Sequence, residues 1–185
     1  MPATAAATAL LDEEHPPLDQ DLGGTNAYTF GRIGPHHVVI GCLPLGSMGE
    51  SSATAVAKDM LRSFPNIKIG LMVGVGGGAS GPPSERSEDD IRLGDIVVSK
   101  PGPGCGGVIQ CDYGKTLSGR EFVDIGYLNR PPNVLLAALT KLLSRIDLEG
   151  SSVSRQIAEI GRKYPKTRQD WQYQGVKNDI LALSR

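Results

Sequence analysis

Runs of apolar residues alternate with polar and glycine-rich stretches along the first half of the chain. His37–Leu43 and Ile67–Val73 are β-branched and continuous, as expected of strands that are buried on both faces. Between them, Ala53–Phe64 carries apolar residues at helical spacing, and Ser51 or Ser52 is available as its N-cap. The order strand, helix, strand predicts a βαβ unit with parallel pairing, and therefore an α/β sheet.

Further elements follow from the same patterns. Ala27–Ile33 alternates like a half-buried strand, while Asp95–Ser99 and Val108–Tyr113 resemble shorter strands. Two helices are predicted near the end of the chain, an apolar-striped one over Asn133–Ile146 and a more polar one over Ser151–Lys163. These elements are sufficient for a layered α/β domain.

The length of 185 residues suits one domain with less ordered ends. Residues 1–26 are predicted to form a poorly ordered lead, in which Ala3–Leu11 could form about two helical turns that His15-Pro16-Pro17 would end. Residues 27–163 are the predicted core. Residues 164–185 are polar with scattered aromatic side chains, which predicts a weakly ordered tail.

Composition and charge exclude several classes of protein. With 19 Lys and Arg against 20 Asp and Glu, the chain lacks the basic surplus of a nucleic-acid binder. No apolar run is long enough to span a membrane, and Met1–Ala9 lacks the features of a signal peptide. Three unevenly spaced cysteines fit a reducing compartment. We therefore expect a cytoplasmic protein without nucleic-acid or membrane partners.

The histidines do not follow the spacing of a metal site. His15, His36 and His37 are expected in turns, without the i, i+4 or paired-cysteine patterns of metal ligands. We therefore predict neither a bound metal nor a cofactor.

A glycine cluster, Val73–Ser80, directly follows a predicted buried strand. Glycines there let backbone N–H groups approach an anion or a sugar, and α/β sheets bind ligands at the carboxyl ends of their strands. The cluster matches the dinucleotide pattern G-x-G-x-x-A, but Gly81-Pro82-Pro83 prevents the helix that this pattern requires. From these residues alone, a ligand site and a turn that only leaves the sheet remain equally open. Asp95 is the best-placed carboxylate, although its position suits a turn cap better than a site.

Several stretches of the chain, spread from about Leu10 to Asp179, together carry a family resemblance. They are Tyr28–Gly34, His37–Ile40, Gly70–Gly78, Asp90–Ser99, Gly106–Gln110, Asp112–Lys115 and Leu128–Pro132. In combination they resemble the fungal nucleoside phosphorylase-like domain, which belongs to the purine nucleoside and uridine phosphorylase superfamily and is related to methylthioadenosine/S-adenosylhomocysteine nucleosidases. The resemblance implies a three-layer α/β/α sandwich, here incomplete and truncated at both ends, in a homo-oligomer that cleaves the N-glycosidic bond of purine nucleosides.

The resemblance also assigns site residues. Gly74, Gly76 and Gly77, with Val75 in the same loop, match the glycine loop beside the ribose and the phosphate or water site. Gly49 resembles the second glycine of the loop that precedes the first long helix. Asp95 matches an aspartate with a mainly structural role near the site, and no catalytic residue is assigned.

Departures from the family change the expected chemistry. Phosphorylases hold inorganic phosphate with an arginine and a serine or threonine where this chain has Met72 and Val75. Hydrolysis is therefore favoured over phosphorolysis. The family's ribose clamp and the aspartate that protonates the leaving purine lie downstream of the point that matches Arg185.

The expected function is therefore nucleosidase-type cleavage of a purine nucleoside, with activity left uncertain by the missing groups. The alternative is a non-catalytic module for nucleoside sensing or oligomerisation, since similar fungal domains lie at the N-terminus of larger receptor-like proteins with ATPase and repeat regions. A shortened gene model is the third interpretation.

Overall fold

A computed structural model describes residues 2–18, 24–77, 91, 94–116, 122–167 and 171. They form four α-helices and five β-strands: α1 (Pro2–Ala9), β1 (Glu13–His15), β2 (Tyr28–Ile33), β3 (His36–Gly41), α2 (Gly49–Ser63), β4 (Ile109–Thr116), β5 (Phe122–Tyr127), α3 (Asn133–Glu149) and α4 (Val153–Lys163), followed by a short 3₁₀ turn at Pro165–Thr167. None of the described helices is long and apolar enough to cross a membrane.

The chain divides into two compact units. The first contains Met1–Gly78 together with Ile160–Asp170, and the second contains Ala79–Glu159 together with Trp171–Arg185. Among the described residues, each unit holds one small antiparallel sheet, of three strands in the first and two in the second. The fold is thus a mixture of helices and small sheets.

The sheet of the first unit has the order β1-β2-β3. Gly34 adopts a positive φ of 55° and, with Pro35, turns the chain directly from β2 into β3. So short a connection permits only antiparallel pairing, because parallel strands require a long crossover. Across the sheet, Phe30 of β2 lies between His15 of β1 and Val39 of β3.

The apolar core of the first unit is small and centres on Phe30. Among the described residues, the buried apolar side chains are Ala9, Leu11, Phe30 and Ile160. Phe30 also belongs to an aromatic cluster with Tyr28 and Phe64, in which the Phe64 ring lies edge-on to both others at centroid distances of 5.1 and 5.6 Å. Such edge-to-face pairs contribute about 0.5–1.5 kcal/mol beyond burial, so the cluster ties the end of α2 to the sheet.

Within the expected lead over residues 1–26, the described part contains regular secondary structure. Residues 2–15 contain α1 and β1, and Leu11 between them is only 3% exposed. The Lys163 ammonium donates a hydrogen bond of 3.1 Å to the Leu11 carbonyl, so the end of α4 helps to hold this segment. Pro16 follows β1 directly. The prolines therefore follow a strand, β1, and not the expected helix, which ends earlier at Ala9. The boundaries of the core and tail stay predictions, and most of 164–185 lies outside the described residues.

The three-layer sandwich and its parallel βαβ unit are not confirmed. The described sheets are antiparallel, and Ile67–Val73, predicted to be the second parallel strand, has no regular secondary structure. Asp95–Ser99 likewise forms no strand, and its apolar side chains are exposed. A β-branched run predicts a strand only where another strand offers backbone partners, and none pairs with these runs among the described residues.

The second unit contains a β-hairpin and the longest helix of the chain. Gly106 packs against the backbone at Leu128, where a Cβ would collide with the Leu128 carbonyl oxygen. Pro132 is the N-cap residue of α3, and Gly150, with a φ of 78°, ends it. The helices predicted near the end of the chain are confirmed, with α3 continuing to Glu149.

We predict that Gly31→Ala destabilises the first unit. An added Cβ would lie 2.5 Å from the Glu13 carbonyl oxygen and 2.7 Å from a methyl group of Leu11, so β1 and β2 would have to separate. Overpacking of this kind costs about 1–3 kcal/mol. Urea unfolding measures the loss. Gly70→Ala is the matched control, since a Cβ there meets nothing within 4 Å, and equal stabilities of the two variants would contradict the prediction.

Candidate functional site

The predicted glycine loop lies in an exposed segment of the first unit. Residues 70–77 have no regular secondary structure and are exposed throughout. A Cβ added at Gly74, Gly76 or Gly77 would meet nothing within 4 Å, so the backbone there is open to a ligand. Val75 is 79% exposed, and Met72, just before the loop, is 88% exposed. The loop therefore offers backbone groups and apolar side chains to solvent.

Gly49 begins helix α2. Its φ of 85° lies in the region that favours glycine, and nothing would lie within 4 Å of a Cβ there. The N-cap residue is Met48, which makes no side-chain capping bond, rather than the expected Ser51 or Ser52. Glu50 supplies the acidic group that the positive end of a helix dipole favours. Gly49 is thus needed for the turn into α2, and its predicted role beside a ribose stays a prediction.

Asp95 lies in the second unit, in an exposed stretch without regular secondary structure. It takes part in an interaction with other groups of the protein. Its predicted structural role remains a prediction, as do the roles of the glycine loop.

A second feature of the first unit is not evident from the sequence. His15 lies in β1, and His36 and His37 lie in β3, so the expectation that these histidines occupy turns is wrong. Antiparallel pairing across β2 causes the difference, because it draws residues 15 and 37 into one sheet. The His15 and His37 rings approach to a centroid distance of 5.7 Å.

The two rings border a groove of about 210 Å³. Its lining is mostly apolar and consists of His15, Pro16, Leu18, Phe30, Gly31, His37, Val38 and Val39. No local motif reveals this groove, since its walls come from three strands.

An ion pair lies on the same face of the sheet. The Arg32 Nε donates to a Glu13 carboxylate oxygen at 2.8 Å, and both side chains are about half exposed. This hydrogen bond and the positive charge of Arg32 lower the pKa of Glu13 below its usual value of 4.5, and His15 adds a smaller effect of the same sign. Beside it, the Gly34 N–H donates to the Asp12 carboxylate at 2.6 Å, which secures the β2–β3 turn to the segment before β1.

In the part of the chain that the structure describes, no group of three or more His, Cys, Asp or Glu side chains is placed to hold a metal ion.

Comparison with known proteins gives one informative relative. The chain is 42% identical over 179 residues to a protein of Hyaloscypha variabilis named "Nucleotide-binding leucine-rich repeat (NLR)-like protein". The match covers 95% of this chain but 17% of the relative, so the chain spans about a sixth of that protein's length. No family model matches the chain. No solved structure matches it either.

This relative contradicts the expected cleavage of purine nucleosides. Its name is that of an NLR-like protein and not of a nucleosidase, and it matches nearly the whole chain. The exposed side chains of the loop argue against phosphorolysis only. Met72 and Val75 carry no group that could bind phosphate or transfer a proton.

We expect the Glu13–Arg32 pair to stabilise the fold in a pH-dependent way. Because the pKa of Glu13 is lowered in the folded state, its contribution is present above the usual pKa and is lost as the pH falls through the folded value. Arg32→Gln should therefore unfold at lower urea concentration than the parent protein at pH 7, and the gap should close under acidic conditions. Glu13→Gln, measured at the same pH values, provides the control. A difference in stability between Arg32→Gln and the parent protein that persists at acidic pH would show that it does not come from the Glu13–Arg32 pair.

Proposed function

We propose that this chain is a non-catalytic, nucleoside-sensing module of a receptor-like protein. The observation that carries the proposal is the 42% identity across nearly the entire chain to an NLR-like protein of which the chain spans only a part. A segment of this size within a much longer receptor is suited to binding a signal or another chain. The same motifs that resemble the nucleoside phosphorylase-like domain indicate which signal the module binds.

The exposed glycine loop supports binding of a nucleoside. The backbone at Gly74, Gly76 and Gly77 is unobstructed, and such a backbone can approach the hydroxyl groups of a ribose closely. Exposed apolar side chains at Met72 and Val75 can cover the flat face of a base. The proposal is binding without cleavage, because the relative that matches nearly the whole chain is not named as a nucleosidase.

Calorimetry with adenosine, inosine and methylthioadenosine tests this function on the intact 185-residue chain. We expect at least one nucleoside to bind and no free base to form above a heat-killed control. Gly76→Val should weaken binding by about tenfold, or roughly 1.4 kcal/mol, because its side chain obstructs the approach to the backbone. The fold of the Gly76→Val variant should be unaffected, since a Cβ at that position meets nothing within 4 Å.

Gly70→Val is the matched control, because it adds the same side chain to the same segment at an equally open position. Equal losses of affinity in both variants would contradict a role for the loop. Release of free base would contradict the non-catalytic proposal, and absence of binding by all three nucleosides would exclude nucleoside sensing.

Self-association is a second candidate function, and the apolar side chains of Ile69–Val75 favour it. Leu71 is 74% exposed and its neighbour Met72 is 88% exposed. Contiguous apolar surface of this kind is uncommon on monomers and marks interaction sites. A homo-oligomer in which these segments bury one another would remove that surface from water.

Light scattering across a concentration series tests self-association. We expect a mass above that of the 19.6 kDa monomer, and expect Met72→Asp to lower it, because a buried carboxylate without a partner is costly. Leu148→Asp is the matched control, since Leu148 is 86% exposed and lies in the other unit. A monomeric parent protein would reject this function, as would equal effects of the two variants.

A further inference from the structure

His15 and His37 lie diagonally across β2 on one face of the first sheet. His15 pairs with Phe30, and His37 pairs with Arg32. Directly paired residues of antiparallel strands share a face, and so do residues two apart in one strand. Both imidazoles therefore project over the same side of β2, where their rings are 5.7 Å apart and tilted by 55°.

We propose that His15 and His37 together bind one divalent transition-metal ion of the zinc class. Zinc binds histidine nitrogen at about 2.0–2.1 Å, which places each ring centroid about 3.2 Å from the metal and two rings of a tetrahedral site about 5.2 Å apart. The observed separation of 5.7 Å is close to this value. The two rings are therefore close enough for one ion to bind a nitrogen of each.

The space and access at the two rings allow a cation with open coordination positions. The groove between them, about 210 Å³ in volume, has room for an ion and several waters. His15 is half-buried and His37 is exposed, so the ion can enter from solvent. Water or a donor group of a bound ligand completes the coordination, because no third side chain of the metal-binding type joins the pair among the described residues.

Charge on this face does not oppose a cation. Arg32 is the nearest fixed positive group in the sheet register, since it pairs with His37. Its guanidinium is paired with the Glu13 carboxylate at 2.8 Å, so the two charges offset each other beside the groove. The ion pair thus removes a repulsion that would otherwise disfavour a divalent ion.

Titration of the untagged chain with Zn²⁺ in a calorimeter tests the proposal. We expect one ion to bind per chain. His15→Ala and His37→Ala should each weaken binding at least about tenfold, because the loss of a group that only supports a metal ligand already has an effect of that size. The double variant should bind little more weakly than either single one, because the first substitution already destroys the chelate. His36→Ala is the matched control, since residue 36 is adjacent but lies on the opposite face.

A measurement on the unmodified protein keeps the test independent of how the variants fold. The imidazole proton resonances of His15 and His37 should shift together and saturate at one equivalent of Zn²⁺, while those of His36 stay in place. Three results would overturn the proposal: no saturable binding, equal losses in the His36 and His37 variants, or resonances of only one of the paired histidines responding. None of these outcomes depends on nucleoside binding, so the metal site is tested independently of the proposed function.

Discussion

The position of β2 between two antiparallel neighbours is the constraint on which the first unit depends. Phe30, at the middle of β2, pairs with His15 and Val39 and also contacts the ring of Phe64 at the end of α2. Its burial therefore joins the sheet to the helix. Next to it, Gly31 leaves just enough space for Leu11 and the β1 backbone. Because the same strand forms the floor of the histidine groove, the core and this candidate site share one structural origin.

Local patterns in the sequence predict the elements whose determinants are local. Helical spacing identifies α2, α3 and α4. The Gly34-Pro35 turn marks the boundary between β2 and β3. The apolar runs at Ile67–Val73 and Asp95–Ser99 are different, because a strand also requires a partner strand that no local pattern supplies. Their apolar side chains are exposed, so the apolar pattern alone was not sufficient to predict strands there.

The two candidate sites also differ in whether their determinants are local in the sequence. The glycine loop is visible in the sequence because its chemistry comes from consecutive residues, Gly74–Gly77. The histidine pair is not, because residues 15 and 37 meet only through the register of three strands. The alanine-rich start predicts a short helix, but the packing of residues 11–15 is not visible in the sequence. It depends partly on a hydrogen bond from Lys163, which lies 152 positions away from Leu11.

Sensing and catalysis place different demands on a loop. A catalytic loop must hold charged or proton-transferring groups in a fixed position before the substrate arrives, whereas a sensor needs only a difference in affinity between two states. The segment at 70–77 is exposed, apolar and without regular secondary structure, so a ligand that covers it would bury surface and order backbone at the same time. Under the proposed sensing function, ordering on binding would lower affinity, but it would convert occupancy into a structural change. An exposed apolar loop without regular secondary structure therefore meets the demands of the proposed binding function.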